Sequence, residues 1–276
     1  MRTFGKGEQA VIQDIDAPFD NRFCPCEPSP GDGVICFRED SVLLAEEEGT
    51  IRFPAVGEAV APGVSLFAVG GRRYFLGEAE PFGDYAYRPV ADLRRSFPRE
   101  EAFAGVTALH LYRWYRDHRF CGRCGQPMRH SETERAMVCG CGNTVYPTIA
   151  PAVIVGVRSG DRICLTKYNR GYAHWALVAG YTEIGETPEQ TVAREVMEET
   201  GLRVKNIRYY KSQPWGLSGS LLLGYFCEVE GDDTIRVDHD ELKEGRWFTP
   251  EEINFSDDGF SLTREMIGVF KRGSRE

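Results

Sequence analysis

The sequence predicts an α+β protein in three parts: a β-rich N-terminal domain, a small cysteine module, and a C-terminal domain that mixes strands with helices. Short apolar runs between glycine turns fill the N-terminal third, a pattern typical of strands. Two cysteine pairs follow. After them, apolar strand patterns alternate with helical segments. We therefore expect domains at residues 1–118, 119–146 and 147–276.

The N-terminal part contains four apolar runs that are typical of strands, at residues 34–37, 42–45, 64–69 and 74–76. Apolar residues then recur at helical spacing over residues 98–117, which predicts one helix leading into the cysteine module. We see no catalytic constellation in this part of the sequence.

The cysteine module consists of Cys121-Gly-Arg-Cys124 and a shorter pair, Cys139-Gly-Cys141. Four thiolates at such spacing bind tetrahedral Zn2+, which folds a segment too small to hold itself together by burial. We expect a structural zinc ribbon, because a closed four-thiolate site leaves no open position for catalysis. The short second pair strains chelation, so His130 is an alternative ligand.

The other cysteines carry weaker signals. Cys24, Cys26 and Cys36 could form a second metal site, although such irregular spacing is more often incidental. Cys164 and Cys227 lie in apolar strand patterns, which predicts buried thiols that act as small hydrophobic side chains.

Composition and charge limit the function. Apolar content of 42% and charged content of 27% are typical of globular proteins. The net charge of −9 argues against broad binding of a nucleic-acid backbone, but not against binding one pyrophosphate through metal ions. No apolar run approaches membrane-spanning length, and residues 1–6 are not followed by the apolar stretch of a signal peptide. Together with nine cysteines, this predicts a cytoplasmic protein.

The C-terminal part begins with an apolar run at residues 150–157, typical of a central strand. A turn separates it from residues 163–166, and the two are expected to pair as a hairpin. We also predict three further strands, at residues 175–178, 221–229 and 245–248. Two helices are predicted at residues 187–200 and 262–271.

The first of these helices carries Glu195, Glu198 and Glu199 at positions i, i+3 and i+4. This spacing places three carboxylates on one helical face, where their like charges repel. A divalent cation removes the repulsion, and Mg2+ or Mn2+ prefers carboxylate oxygens with room left for water and phosphate. The sequence therefore predicts a metal site for phosphate chemistry, with a solvated acidic helix as the alternative.

Local signals mark the ends of this helix. Thr187 is a suitable N-cap, and Pro188 suits the first helical position. Gly201 suits the left-handed residue that ends a helix. Val192 and Val196 are expected to face the core while the glutamates face outward.

The stretch over residues 180–202 resembles the signature of the Nudix hydrolases, a highly specific pattern. The resemblance implies an α/β/α sandwich for the C-terminal part and metal-dependent hydrolysis of a nucleoside diphosphate compound. The matching residues are Gly180, Glu186, Arg194, Glu195, Val196, Glu198, Glu199, Gly201 and Leu202.

The same resemblance implies roles for these side chains. Glu195 and Glu199 correspond to the main ligands of Mg2+ or Mn2+, and Glu198 is a further ligand or the base that takes a proton from water. Arg194 is expected to orient a carboxylate, and Glu186 completes the catalytic set.

Further ligands are expected outside the helix. Glu241 lies where the family places a distant metal-binding glutamate; Asp240 is a competitor, and an exposed loop carboxylate is the alternative. Ala179 corresponds to a backbone carbonyl ligand. Tyr181 matches an aromatic position that stacks on a base, although half-buried packing fits the sequence nearly as well.

A second motif narrows the resemblance. Residues 212–215, Ser-Gln-Pro-Trp, followed by Ser220, are similar to the motif that distinguishes NADH pyrophosphatases among Nudix enzymes. An ordinary loop between strands is the alternative. The chain departs from the family at residues 216–218, which lack its usual prolines and aromatic residue. The resemblance assigns to the nucleotide pocket Gln213, Pro214, Trp215, Gly216, Leu217, Ser218, Gly219 and Ser220, with Thr263 as a backbone contact near the base.

In the family, the zinc ribbon contributes to substrate binding and to dimer contacts, so a homodimer is expected. Glu134 and Tyr146 are candidate substrate-binding residues by position, although core packing of Tyr146 is nearly as consistent. Zinc ribbons also bind nucleic acid. Residues 130–135 are mixed in charge and contain no Phe, Tyr or Trp, however, so they are poorly suited to base stacking.

These observations predict an enzyme that uses Mg2+ or Mn2+ to hydrolyse the pyrophosphate of NADH or NAD+ to AMP and nicotinamide mononucleotide. Decapping of NAD-capped RNA would cut the same bond, and the altered residues 216–218 make ADP-ribose and related nucleoside diphosphates a further alternative. A non-catalytic nucleotide sensor is disfavoured, because the chain retains every glutamate of the signature.

Overall fold

The computed structural model describes residues 11–169, 174–255 and 258–273. Residues 1–6, which bear on the signal-peptide prediction, lie outside the described residues. Contacts divide the chain into two units. The N-terminal unit contains Asp14–Ile149 and Gly216–Gly219, and the C-terminal unit contains Ala150–Trp215, Ser220–Glu276 and the segment up to Gln13. The domain boundaries at residues 118 and 146 stay a prediction.

Seven strands form the main sheet of the N-terminal unit: β1 (Phe19–Asp20), β2 (Gly33–Arg38), β3 (Ser41–Glu47), β4 (Thr50–Arg52), β5 (Ala61–Val69), β6 (Arg72–Glu78) and β7 (Ala86–Pro89). Their order is β1-β5-β6-β2-β3-β4, and β7 pairs with β3. All four strands predicted for this part of the chain are confirmed.

The predicted N-terminal helix is α1 (Arg99–Asp117). Gly105 lets this helix pack closely against Leu93 and Phe53 of the same unit. A Cβ added at Gly105 would lie only 2.9 Å from both Leu93 Cδ1 and Phe53 Cζ. Three very short strands follow α1 and form the ribbon sheet, in the order β10-β9-β8. They are β8 (Arg129–His130), β9 (Met137–Val138) and β10 (Thr144–Val145).

The C-terminal unit contains a six-stranded mixed sheet and two α-helices: β11 (Ala150–Ser159), β12 (Arg162–Tyr168), β13 (Val178–Tyr181), α2 (Pro188–Thr200), β14 (Val204–Trp215), β15 (Ser220–Val229), β16 (Leu242–Phe248) and α3 (Leu262–Lys271). The strand order is β14-β15-β11-β12-β16, with β13 beside β11. β11 runs antiparallel to β12, which confirms the hairpin, and parallel to β15.

The two helices cover opposite faces of this sheet. Along β11, Val155 belongs to the buried cluster that contains Val196 of α2. Its neighbour Ile154 belongs to the cluster that contains Met266 of α3. Because successive side chains of a strand point to opposite faces, this alternation confirms the α/β/α sandwich. No helix in the described ranges combines the length and the apolar character needed to cross a membrane.

Two strands of the C-terminal unit differ from the prediction. β14 was not predicted, because its polar, half-exposed residues lack an apolar run. The strand expected at residues 175–178 lies at Val178–Tyr181 instead. The buried thiols are confirmed, since Cys164 is 0% and Cys227 is 2% exposed.

Candidate active site

Local sequence sets both ends of α2, as predicted. The Gln190 backbone N–H donates to Thr187 Oγ1 at 3.3 Å, and the Thr187 N–H donates to Gln190 Oε1 at 2.8 Å. This reciprocal pair is a capping box, and Pro188 follows in the first turn. Gly201 ends the helix with a φ of 69°, which glycine adopts without strain.

The three glutamates of α2 differ in exposure. Glu199 is 2% exposed, whereas the side chains of Glu195 and Glu198 are 12% and 58% exposed. The expectation that all three face outward is therefore wrong for Glu199. It follows Val192 and Val196 at helical spacing and so lies on the stripe that α2 packs against the sheet.

Arg194 connects the acidic groups around α2. Its guanidinium donates to both carboxylate oxygens of Glu186, at 2.7 and 2.9 Å. It also donates to Glu195 at 2.7 Å and to Glu198 at 3.0 Å. A further hydrogen bond reaches the Tyr181 carbonyl at 2.9 Å. The hydrogen bonds from Arg194 lower the pKa of Glu186 to about 2, so this carboxylate stays charged.

Gly180 leaves room for the carboxylate of Glu195. A Cβ added at Gly180 would stand 1.9 Å from Glu195 Cδ and 2.1 and 2.2 Å from its two oxygens. Any side chain at this position would therefore displace the carboxylate. This close approach is the physical reason for glycine at the start of the motif.

Burial gives Glu199 an unusual proton affinity. Burial first, and then the charges of Glu195 and Glu241, raise the pKa of Glu199 to about 8, while a backbone hydrogen bond from Ala179 opposes the shift. Burial also raises the pKa of Glu195. Among the described residues, Glu199 Oε2 has no hydrogen-bond partner. A buried carboxylate oxygen without a partner, beside two more carboxylates, is a donor set that suits Mg2+ or Mn2+. The carbonyl of Ala179 as a ligand stays a prediction.

The distant carboxylate acting on this cluster is Glu241. Its charge contributes to the raised pKa of both Glu195 and Glu199. The Asp240 N–H donates to Asp238 Oδ1 at 2.9 Å. Glu241 as a metal ligand stays a prediction, with Asp240 as its competitor.

Tyr168, at the end of β12, belongs to the same cluster and was missed by the sequence analysis. Burial first, and then the charges of Glu199, Glu241 and Glu195, raise the pKa of its hydroxyl. The phenol therefore stays protonated beside the carboxylates. A tyrosine at a strand end carries no motif, so no sequence signal could have identified it.

The α2 carboxylates do not form the tightest group of metal-binding side chains in the described residues. We searched the described part of the chain for three or more metal-binding side chains with ligand atoms within 4.8 Å of one another. The four ribbon cysteines form the one group among these residues that meets this limit. Glu195 Oε1 and Glu198 Oε2 both accept from Arg194 Nη1, at 2.7 and 3.0 Å.

The four ribbon thiols do converge. The sulfur–sulfur distance is 3.8 Å between Cys121 and Cys141, and 3.5 Å between Cys124 and Cys139. The short second pair therefore reaches the same centre as the first, and His130 is not part of the group. Four thiolates in this arrangement fit tetrahedral Zn2+.

The possible second metal site is not assembled. Cys24, Cys26 and Cys36 form no such group among the described residues. Cys36 is buried in the core of the N-terminal sheet, whereas Cys24 is exposed.

The structure brings together the two ribbon residues assigned to substrate. The Tyr146 hydroxyl donates to the two oxygens of Glu134, at 3.1 and 3.2 Å. Tyr146 is 55% exposed, so its ring is not a core residue. Their contact with substrate stays a prediction.

The Ser-Gln-Pro-Trp motif forms the end of β14, and Gly216–Gly219 is the turn that leads into β15. Gln213 is fully buried. Its amide nitrogen donates to the Phe260 carbonyl and to Gln13 Oε1, each at 2.8 Å, and its oxygen accepts from the Leu262 N–H at 2.7 Å. Gln213 thus ties β14 to the start of α3, and its amide protons are already used.

The remaining residues assigned to the nucleotide pocket lie in several places. Tyr181 is 53% exposed, and its hydroxyl lies 3.4 Å from Ser220 Oγ. The Trp215 ring meets Phe260 edge to face, with centroids 5.5 Å apart. Thr263 lies in the first turn of α3 and is partly buried.

Two protein families match this chain. Residues 148–267 match the family described as NUDIX domain. This range includes α2 with its glutamates, the Ser-Gln-Pro-Trp strand and Glu241. Residues 116–146 match the family described as NADH pyrophosphatase zinc ribbon domain, and this range contains the four converging cysteines.

Curated relatives are similar to part of this chain. The chain is 43% identical over 162 residues to a protein of Salmonella schwarzengrund named "NAD-capped RNA hydrolase NudC", over 58% of this chain and 62% of that protein. A protein of the same name from Pectobacterium atrosepticum is 44% identical over 147 residues, or 52% and 56% of the two chains. The chain thus matches less than two thirds of these relatives' length.

Among solved structures, a NUDIX hydrolase from Nitrosomonas europaea aligns with a TM-score of 0.49 and 24% identity. The alignment covers 56% of this chain and 91% of that structure.

Proposed function

We propose that the Nudix domain hydrolyses the pyrophosphate bond of NADH or NAD+ and releases AMP and nicotinamide mononucleotide. The observation that carries the proposal is buried Glu199, with one oxygen unpartnered among the described residues and with Glu195 and Glu241 beside it. These three residues would hold Mg2+ or Mn2+, which supplies charge neutralisation of the phosphates and acidification of a water molecule.

The other residues of the cluster have distinct roles in this proposal. Arg194 orients Glu195 and Glu198 and fixes the loop that carries Glu186. Glu198 is the most exposed of the α2 glutamates, with 58% of its side chain accessible. We therefore assign to Glu198 the acceptance of the proton from the attacking water, because an accessible carboxylate can come within hydrogen-bond reach of that water.

The substrate is assigned from exposed aromatic side chains. Tyr181 presents a half-exposed ring next to Ser220, which suits stacking on a base. Tyr146 presents a second exposed ring with Glu134 at its hydroxyl. The residues over 213–220 and Thr263 complete the proposed nucleotide contacts.

NAD-capped RNA is the second candidate substrate. It is favoured by the name of the relatives from Salmonella and Pectobacterium. The same bond is cut in both substrates, so the metal site is equally suited to them. The net charge of −9 weighs against strong binding of a long RNA chain.

A steady-state comparison tests the substrate assignment. kcat/KM is measured for NADH, NAD+, ADP-ribose and NAD-capped RNA, each with Mg2+ and with Mn2+. A preference for ADP-ribose over NADH exceeding about tenfold, or roughly 1.4 kcal/mol of transition-state binding, would replace the named substrate.

A matched pair of variants tests the metal assignment. Glu199→Gln should abolish turnover while fold and zinc content are kept. Glu189→Gln, on the exposed first turn of the same helix, should keep turnover. Wild-type protein that binds nucleotide without hydrolysing any of the four compounds would instead indicate a sensor.

We also infer a homodimer in the cytoplasm. The support is the likeness of the ribbon and the Nudix domain to their families. Sedimentation velocity at several protein concentrations tests the dimer, and a monomer throughout would refute it.

A further inference from the structure

Cys24 and Cys26 form a thiol pair outside the zinc ribbon. The Cys26 N–H donates to the Cys24 carbonyl at 2.9 Å, which closes a three-residue turn around Pro25. Each of the two thiols shifts the pKa of the other. Cys24 is exposed and Cys26 is partly buried, so the pair has one accessible and one sheltered sulfur.

Polar groups from β5 and β6 surround the sheltered sulfur. Cys26 Sγ lies 3.6 Å from Ser65 Oγ. The Arg73 guanidinium lowers the pKa of Cys26, and it donates to both carboxylate oxygens of Asp32, at 3.2 and 2.5 Å. A hydroxyl and a positive charge therefore act on one sulfur atom, as they would to stabilise a thiolate.

The two thiols are unequal. Burial acts to raise the pKa of Cys26, but the hydrogen bonds with Ser65, Cys24 and Arg73 outweigh burial and lower it. The hydrogen bond with Cys26 raises the pKa of Cys24. The Cys26 thiol therefore ionises more readily than the Cys24 thiol. By contrast, burial raises the pKa of Cys36 to about 12, so Cys36 is inert.

A cavity gives access to Cys26. It has a volume of about 320 Å³, and its lining includes Cys26, Ser65, Glu27 and His130. A space of this size can take part of a small molecule.

We propose that Cys24 and Cys26 form a thiol–disulfide exchange site for small disulfides, with Cys26 as the attacking sulfur and Cys24 as the resolving sulfur. The Cys26 thiolate attacks one sulfur of the small disulfide, which forms a mixed disulfide and expels one thiolate. That thiolate takes the proton of Cys24. The Cys24 sulfur then attacks Cys26 Sγ, which forms the Cys24–Cys26 disulfide and expels the second thiolate. The protein loses two electrons, and the small disulfide gains them.

Glutathione disulfide is the probe that tests this site. Full-length reduced protein is incubated with it, quenched with iodoacetamide and digested with trypsin, and the peptide over residues 23–38 is analysed by mass spectrometry. Wild type should form the Cys24–Cys26 disulfide while Cys36 stays reduced. Cys24→Ser should stop at a glutathione adduct on Cys26, and Cys26→Ser should react at Cys24 at least about tenfold more slowly.

Arg73 provides the matched comparison. In the Cys24→Ser background, Arg73→Gln should slow formation of the adduct on Cys26 several-fold. Arg88→Gln, an exposed arginine on β7, should leave the rate unchanged. An adduct that forms first on Cys24 would overturn the proposal. An unchanged rate of adduct formation in Arg73→Gln would overturn it as well. A second zinc equivalent that is lost in Cys26→Ser would overturn it too, by showing a metal site instead.

Discussion

Arg194 binds Glu186 through two parallel hydrogen bonds, from Nε to Oε1 at 2.7 Å and from Nη2 to Oε2 at 2.9 Å. The remaining donor capacity of the guanidinium goes to Glu195, Glu198 and the Tyr181 carbonyl. One side chain thus joins the loop before α2 to two of its carboxylates.

Arg194→Lys should lower kcat/KM by about ten- to a hundredfold, because lysine cannot form the two-point contact that orients these carboxylates. The concentration of Mn2+ needed for half-maximal rate should rise in the same variant. Titration of activity with Mn2+ measures both effects. Arg203→Lys, on the exposed segment after α2, serves as the control and should match wild type. Unchanged kinetics in Arg194→Lys would remove Arg194 from the active site.

Gly180→Ala should destabilise the protein by about 1–3 kcal/mol, because the added methyl group overlaps the Glu195 carboxylate. Adding Glu195→Asp withdraws the carboxylate by one methylene and should restore much of the stability but not the activity. Chemical unfolding of the two single variants and the double variant measures this coupling. Gly122→Ala, where a Cβ meets nothing within 4 Å, is the control. Additive effects of the two changes would contradict the predicted clash.

The stability of metal-free protein should fall as pH rises from about 4.5 to 8. The pKa of Glu199 is about 8 in the folded chain against an ordinary value of 4.5. Between these values the folded state binds the extra proton, so the free energy of unfolding decreases with increasing pH. Urea unfolding in chelator at several pH values should show this slope for wild type and a smaller slope for Glu199→Gln. Equal slopes would show that Glu199 is not protonated in the folded chain.

Removal of one ribbon ligand should release zinc. Cys124→Ser leaves three thiolates at the centre, so its zinc content should fall well below roughly one equivalent per chain. Because the ribbon strands are only two residues long, the ribbon should then become sensitive to protease. Metal analysis and limited proteolysis check both outcomes. Cys24→Ser should keep the zinc, and a full equivalent retained by Cys124→Ser would argue against the four-thiolate site.

Many elements could be predicted from the sequence because their signals are local. The ends of α2 follow from Thr187, Pro188 and Gly201, which act on adjacent backbone. The apolar runs of β2, β3 and β11 indicate strands, since alternation and length are properties of one segment. The cysteine spacing likewise predicts a zinc centre, which the four sulfurs confirm by converging.

The sequence does not predict β14, because its residues are polar and half-exposed. This segment is a strand because it pairs with β15. The motif glutamine Gln213 could be read as a pocket residue from the sequence. Its hydrogen bonds to Phe260 and Leu262 give its amide a further role that the sequence does not indicate, which is to hold β14 to α3.

The sequence by itself thus determines the local features of this protein: an acidic helix with defined ends, a thiol cluster and a set of strands. The proton affinity of Glu199, the involvement of Tyr168 and Glu241, and the environment of Cys26 arise from segments far apart in sequence. Burial and electrostatic interaction depend on what packs around a group, and that packing exists only once the strands and helices have come together.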